Sequence, residues 1–219
     1  MSRAAVSWGY ADGWFPRNRS ESKRIGRLWT AYHALYPGEN VVRQMDNLFR
    51  VLGDEVPPLP LIEDWELVHG QTKYTITKAI LTCDDIIERR TGRHMILYSR
   101  KNLLEQYTYF EELRHLDLHL AQYLSAPFPT PEHPGPPELP KGASTWRFHQ
   151  TGDHTPGAGF GVESLQLDYD RFNGTVEELY TWAGFERPEP PAVPLIEWAV
   201  EADSWMRSQG YRGARPGVE

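Results

Sequence analysis

The chain has one cysteine, Cys83, in 219 residues. No intramolecular disulfide can form, and a reducing compartment suits it. It has no apolar run long enough to span a bilayer, and its opening Met1-Ser2-Arg3-Ala4-Ala5 has no apolar signal core, so residence in the cytoplasm is expected. Cations are in deficit: 23 Lys and Arg against 30 Asp and Glu give a formal net charge of −7. Nucleic-acid binding leans on Lys and Arg against phosphates, so that class is not expected. There is no internal repeat. Aromatics are plentiful, with 8 Trp, 11 Tyr and 8 Phe. A chain of this length can bury a sizeable core as one α/β domain or as two small ones.

Periodicity supplies the elements. Residues 4–10 (AAVSWGY) read as a buried strand, followed by a polar loop to Arg19 and a weak helix from Ser20 to Arg27. Leu28 to Tyr36 is a second apolar stretch, and Pro37-Gly38 a turn. Val41, Met45, Leu48, Phe49 and Leu52 fall at helical spacing, closed by Gly53. Ile76, Ile80, Cys83 and Ile87 mark another helix, ended at Thr91-Gly92. Residues 94–98 and 116–124 read as strands, with a loosely helical segment between them. Ala126 to Pro140 is a proline-rich loop. Strands are expected at Thr145–Gln150 and Ser164–Leu167. A capping box at Thr175 and Glu178 opens a helix that stops at Gly184. The expected domains are a barrel over residues 1–185, a proline-rich linker over 186–194, and an amphipathic helix and tail over 195–219. The Trp198/Trp205 face of that helix is too apolar to leave in water, so it should pack on its own barrel or, failing that, form a homodimer.

The chemistry centres on Leu61-Ile62-Glu63-Asp64-Trp65-Glu66. Side chains on a strand alternate faces, so Asp64 and Glu66 point the same way with Cα atoms about 6–7 Å apart. Paired carboxyls facing a cleft are what glycoside cleavage uses, one protonated and one charged. An Asp-x-Glu triplet alone is met roughly once by chance in a chain of this size, and a solvated strand end would look the same. The context is the difference. Asp64, Glu66, Tyr98, Tyr123, Gln150 and Asp168 all fall at expected strand ends, as functional groups do in α/β barrels.

Seven stretches in order resemble the glycoside hydrolase family 25 muramidases: Tyr10-Ala11-Asp12 with Phe15 and Asn18; Gly26 with Ala31-Tyr32-His33; Asp64-Trp65-Glu66; Ile96-Leu97-Tyr98-Ser99; residues 118–123; Trp146 to Gln150; and residues 167–174. The resemblance implies a modified TIM-like α/β barrel, incomplete at its N-terminus. The family's first strand and its acid have no counterpart here. His119 and His149 stand where the family has cleft aromatics. It further implies cleavage of the β-1,4 bond between N-acetylmuramic acid and N-acetylglucosamine in peptidoglycan. Glu66 would be the general acid, with Asp64 stabilising the developing charge or orienting the substrate's N-acetyl group and Asp168 tuning the pair. Tyr32, Tyr98, Tyr123, Gln150 and Trp8 would bind the glycan strand, with Trp146 as a further sugar-stacking candidate. The protein would be held in the cytoplasm, such as that of a phage-infected bacterium, until released to the wall. The alternative is a catalytically degenerate barrel acting as a binding or structural module, such as a phage particle component.

No cofactor or metal is called for. His115 and His119 have helical ligand spacing, but His119 lies in an expected strand and no His-Glu-x-x-His is present. The glycine-rich residues 157–161 enter a strand and lack an adjacent Lys, unlike a phosphate cradle. Cys83 lies on an apolar helix face and reads as core.

Overall fold

The computed structural model describes residues 1–123, 135–157 and 166–187. The chain divides into Met1–Phe185 and Glu186–Glu219, and all but two of the described residues lie in the first unit. The expected proline-rich loop (apart from 135–140), the glycine-rich run beyond Gly157, most of the linker and the C-terminal amphipathic helix lie outside the described residues.

One curled sheet of eight strands organises the first unit, in the order β2-β1-β3-β4-β5-β6-β7-β8. The strands are β1 (Ser2–Val6), β2 (Tyr10–Ala11), β3 (Ala31–Ala34), β4 (Ile62–Asp64), β5 (Ile96–Ser99), β6 (Asp117–Ala121), β7 (Phe148–Thr155) and β8 (Leu167–Phe172). From β1 through β3 to β7 the pairing is parallel, while β2 and β8 run antiparallel to their neighbours. Among the described residues β2 and β8 end the strand order, so the sheet is an incomplete TIM-like barrel.

Helices α1 (Phe15–Arg24), α2 (Val41–Leu52), α3 (Lys73–Thr91) and α4 (Lys101–Tyr107) fill the connections between strands, and α5 (Val176–Ala183) follows β8. Their ends carry the expected chemistry. Asn40 and Thr72 accept backbone N–H bonds as N-caps of α2 and α3, and Gly92 closes α3 in the left-handed region at φ 74°. The capping box at Thr175 and Glu178 is formed, and α5 stops at Gly184. α1 begins five residues before the expected helix. Pro16 sits in its first turn, where a missing N–H costs nothing. β7 runs on to Thr155 through Gly152, where the register with β8 shifts as in a bulge.

Two apolar layers flank the sheet. The larger, under the helices, gathers Phe15, Trp29, Met45, Leu48, Trp65, Ile76, Ile80, Cys83 and Leu97. The smaller, on the concave side, is Ile62, Ile96, Tyr98, Ala121 and Phe148, with Tyr32, Phe172 and Trp182 against it. Among the described residues no helix is long and apolar enough to cross a membrane.

Candidate active site

Register sets the site. Ala34, Asp64, Tyr98, His119, Phe148 and Phe172 are successive Cα partners across β3 to β8, so they form one row on one face. Along β4 the faces alternate: Ile62 belongs to the concave cluster, Glu63 is wholly buried, Asp64 faces the cleft and Trp65 is wholly buried under the helices. The regular strand ends at Asp64, but the Trp65 N–H donates to the Tyr98 carbonyl at 3.0 Å and the Ser99 hydroxyl to the Trp65 carbonyl at 2.7 Å. Those bonds carry the alternation one residue further, and Glu66 joins Asp64 on the cleft.

A cavity of about 1230 Å³ opens over this row. Of the eight expected site residues it is lined by Asp64, Glu66, Asp168, Tyr32, Tyr98, Tyr123 and Gln150. Trp8 is not among the lining residues; it is half exposed, with the Arg43 guanidinium 4.5 Å from its ring centroid. Trp146 packs against the layer under the helices. The parallel strands deliver their C-terminal ends to the cavity. β8 runs the other way, so the start of that strand brings Asp168 and Asp170 to the same rim.

The cleft is crowded with carboxyls: Asp12, Asp64, Glu66, Asp153, Asp168 and Asp170 all line it. Burial, then the charges of Glu66 and Glu63, push the Asp64 carboxyl up to about 7. Asp168 is also raised, by desolvation first and then by Asp170 and Asp153. Glu66 lies 3.4 Å from the Arg100 guanidinium, which also sits 5.5 Å from the Tyr123 ring centroid. At the floor, the hydroxyls of Tyr98 and Tyr123 both donate to Gln150 Oε1, at 2.7 and 3.1 Å. The Gln150 NH2 is left as the donor that the floor can offer. Desolvation raises the Tyr98 phenol far above its ordinary range and takes Tyr32 to about 12, so both remain hydrogen-bond donors.

Four further residues belong to this neighbourhood. His119 Nε2 is 2.8 Å from Asp170 Oδ1 and its ring meets Tyr98 edge-on, so one polar ring lines the cleft with its own carboxylate partner. His149, expected beside it, faces the other way, edge-on to Trp146 and bonded to the Gln122 carbonyl. Behind Asp64, His33 Nδ1 lies 2.7 Å from Glu63 Oε1, with both side chains fully buried. The Ser7 carbonyl accepts from His33 Nε2 at 3.0 Å and from Asn47 Nδ2 at 3.0 Å. Both ring nitrogens thus face acceptors, which favours the doubly protonated ring. Burial pulls the His33 pKa down, but Glu63 and the Ser7 carbonyl more than offset it and leave it raised.

The family profile described as "Glycosyl hydrolases family 25" matches residues 2–159. The chain belongs to glycosyl hydrolases family 25. Solved structures share the family 25 fold. The muramidase from Trichobolus zukalii superposes with a TM-score of 0.66 at 21% identity, over 81% of this chain and 83% of that one. The bacterial lysozyme from Streptomyces coelicolor gives 0.68 at 20% identity, over 81% of this chain and 82% of that one. The catalytic domain of endolysin ply40 from bacteriophage P40 of Listeria monocytogenes gives 0.56 at 15% identity, over 83% and 84%. No curated protein matches the sequence.

Within this family 25 barrel, the sequence showed the Asp-x-Glu pair but not the Glu63–His33 pair behind it. His33 was visible beside Tyr32, and Glu63 beside Asp64, yet nothing local says that residues 30 apart lie on adjacent strands. Arg100 was missed too, since its role comes only from the turn that follows β5.

Proposed function

We propose that this family 25 protein is a peptidoglycan hydrolase, an N-acetylmuramidase that cleaves the β-1,4 bond between N-acetylmuramic acid and N-acetylglucosamine. The observation that carries the reading is Asp64 and Glu66 together on the wall of a cleft of about 1230 Å³, one of them holding a proton to about pH 7. Glycoside cleavage needs one proton to give and one negative charge to keep. Glu66 gives the proton to the leaving oxygen. Asp64, once charged, stabilises the oxocarbenium-like carbon or holds the substrate's N-acetyl group for attack. In the resting cleft the proton sits at Asp64 and Glu66 faces Arg100. The reaction therefore requires that proton to pass from Asp64 to Glu66, which leaves Asp64 charged. Gln150 and Tyr32 supply donors, and Tyr98 and Tyr123 ring faces, to the sugars, while Asp168 raises the cost of losing that proton. The solved relatives named as a muramidase, a lysozyme and a phage endolysin support the same substrate class.

Purified cell walls test this. The wild type should clear a wall suspension and release new reducing ends on muramic acid, and Glu66→Gln should be inert. A second reading, a degenerate barrel that binds or builds without cleaving, has one feature in its favour: β1 presents Arg3, tied to Asp12 at 2.8 Å, and no carboxylate of its own to the cleft. Wild type and Glu66→Gln equally inert on walls that both still bind would favour that second reading.

A further inference from the structure

Outside the cleft, Asp84, His94 and His115 each turn one ligand-type atom toward a common point, all within 4.8 Å of one another. Among the described residues this is the one cluster of three or more with metal-ligand spacing. The sequence pairs His115 with His119, but the strand that starts at Asp117 breaks that helical spacing. His119 goes to Asp170 in the cleft, and His115 goes to Asp84.

We propose that Asp84, His94 and His115 bind a divalent transition-metal ion, with zinc the best fit. His94 Nδ1 lies 2.9 Å and His115 Nε2 3.1 Å from the same atom, Asp84 Oδ2. Tetrahedral zinc, with bonds of about 2.0–2.2 Å, sets neighbouring ligand atoms about 3.3–3.5 Å apart, so each ring need draw back from Asp84 Oδ2 by only a few tenths of an ångström, while the two half-exposed rings, within 4.8 Å of each other, swing together by up to about 1.3 Å. The surroundings are those of ligands held by their neighbours. Asp84 is almost fully buried, and its other oxygen accepts the Met95 N–H at 3.0 Å, which aims Oδ2 at the two rings. Glu88, one turn along α3, lies 3.3 Å from His94 Nε2. With an ion bound at Nδ1, the proton of His94 moves to Nε2, where the Glu88 carboxylate is in place to hold it as a metal-ligating imidazole is usually held. Asp84 and Glu88 together supply two negative charges. Both histidines are nearly half exposed, which gives an ion a way in and leaves room for water as a fourth ligand.

The donor set excludes other ions. Calcium and magnesium take oxygen ligands, whereas two imidazoles and one carboxylate select zinc or its transition-metal neighbours. The three ligands come from α3, from the approach to β5 and from the approach to β6, at the strand ends opposite the cleft. The ion would thus clasp a helix to two strands and take no part in glycoside chemistry.

The full chain, stripped with chelator and titrated with zinc at pH 7.5, tests this. Calorimetry should show one equivalent bound with a Kd below about 10 µM. Cobalt(II) should give the intense visible absorption of a low-coordinate nitrogen–oxygen site. The melting temperature should rise as free zinc rises. His94→Gln and His115→Gln change exposed side chains and should fold; each should weaken zinc at least about tenfold. His154→Gln, at an exposed histidine elsewhere, should bind as the wild type does. No saturable binding up to about 100 µM zinc, or binding that survives both His94→Gln and His115→Gln, would overturn the proposal.

Discussion

The His33 imidazole and the Glu63 carboxylate meet at 2.7 Å, wholly out of solvent, on the reverse side of the strand that shows Asp64 to the cleft. Breaking a buried pair by removing one charge leaves the other uncompensated. Glu63→Gln should therefore lower the unfolding free energy by about 3–5 kcal/mol in urea titrations. The deficit should depend on pH. His33 is raised in the folded chain, so its contribution is full below the ordinary histidine value of 6.5 and fades as pH climbs through the higher folded value. The gap between wild type and Glu63→Gln should shrink at alkaline pH, and a gap independent of pH would contradict a charged His33.

Asp64 works in the opposite sense. Its carboxyl keeps a proton to about pH 7 in the folded chain but releases it near 3.8 when unfolded. The native state binds more protons between those values, so stability falls as pH rises across that window. Asp64→Asn removes the cost and should stabilise the unliganded protein at pH 8 by on the order of 3 kcal/mol, while abolishing wall cleavage. At pH 3 the two proteins should unfold alike.

Activity itself should decline as pH rises through about 7, where the proton at Asp64 is lost. The measurement is the initial clearing rate on purified walls at constant ionic strength. A rate that kept rising to pH 9 would show that this proton is not the one transferred.

Arg100 faces Glu66 on the cleft wall. The Arg100→Ala variant removes a cation 3.4 Å from Glu66 and should change the clearing rate by less than about tenfold. Stability should change by under about 0.5 kcal/mol, as is usual for exposed pairs. A loss of activity above tenfold at every pH would instead make Arg100 a substrate contact.

Thr175→Ala removes the cap of α5, whose Trp182 packs on Phe148 and Phe172 behind the cleft floor. Thermal unfolding should show a loss of about 1 kcal/mol.

Local chemistry was legible wherever one segment decides its own structure. The α2 spacing from Val41 to Leu52 with Gly53, the Thr175/Glu178 box and the Asp64/Glu66 alternation are all set within a few residues. Misreadings came where a neighbour overrides local signals. The expected strand stops at Gln150, but β8 pairs on past it through Gly152 and β7 continues to Thr155. Ser7, inside the expected strand, sits at φ 46°, and its carbonyl accepts from both Asn47 and His33, contacts set by chain 26 or more residues away. His149 was expected in the cleft with His119. Their strands are one residue out of step, with His119 opposite Phe148, so His149 falls on the other face.

The two-residue rhythm of β4 also limits how this site can change over generations. Losing or gaining a single codon between Ile62 and Glu66 would exchange the two sides of the strand from that point on. The acids would be driven in among the helices, and Trp65 would be pushed into the sugar path. Such a lineage would lose folding and cleavage together. Length can vary in the loops before and after β4, but the five positions from Ile62 to Glu66 can change only by exchanging one side chain for another.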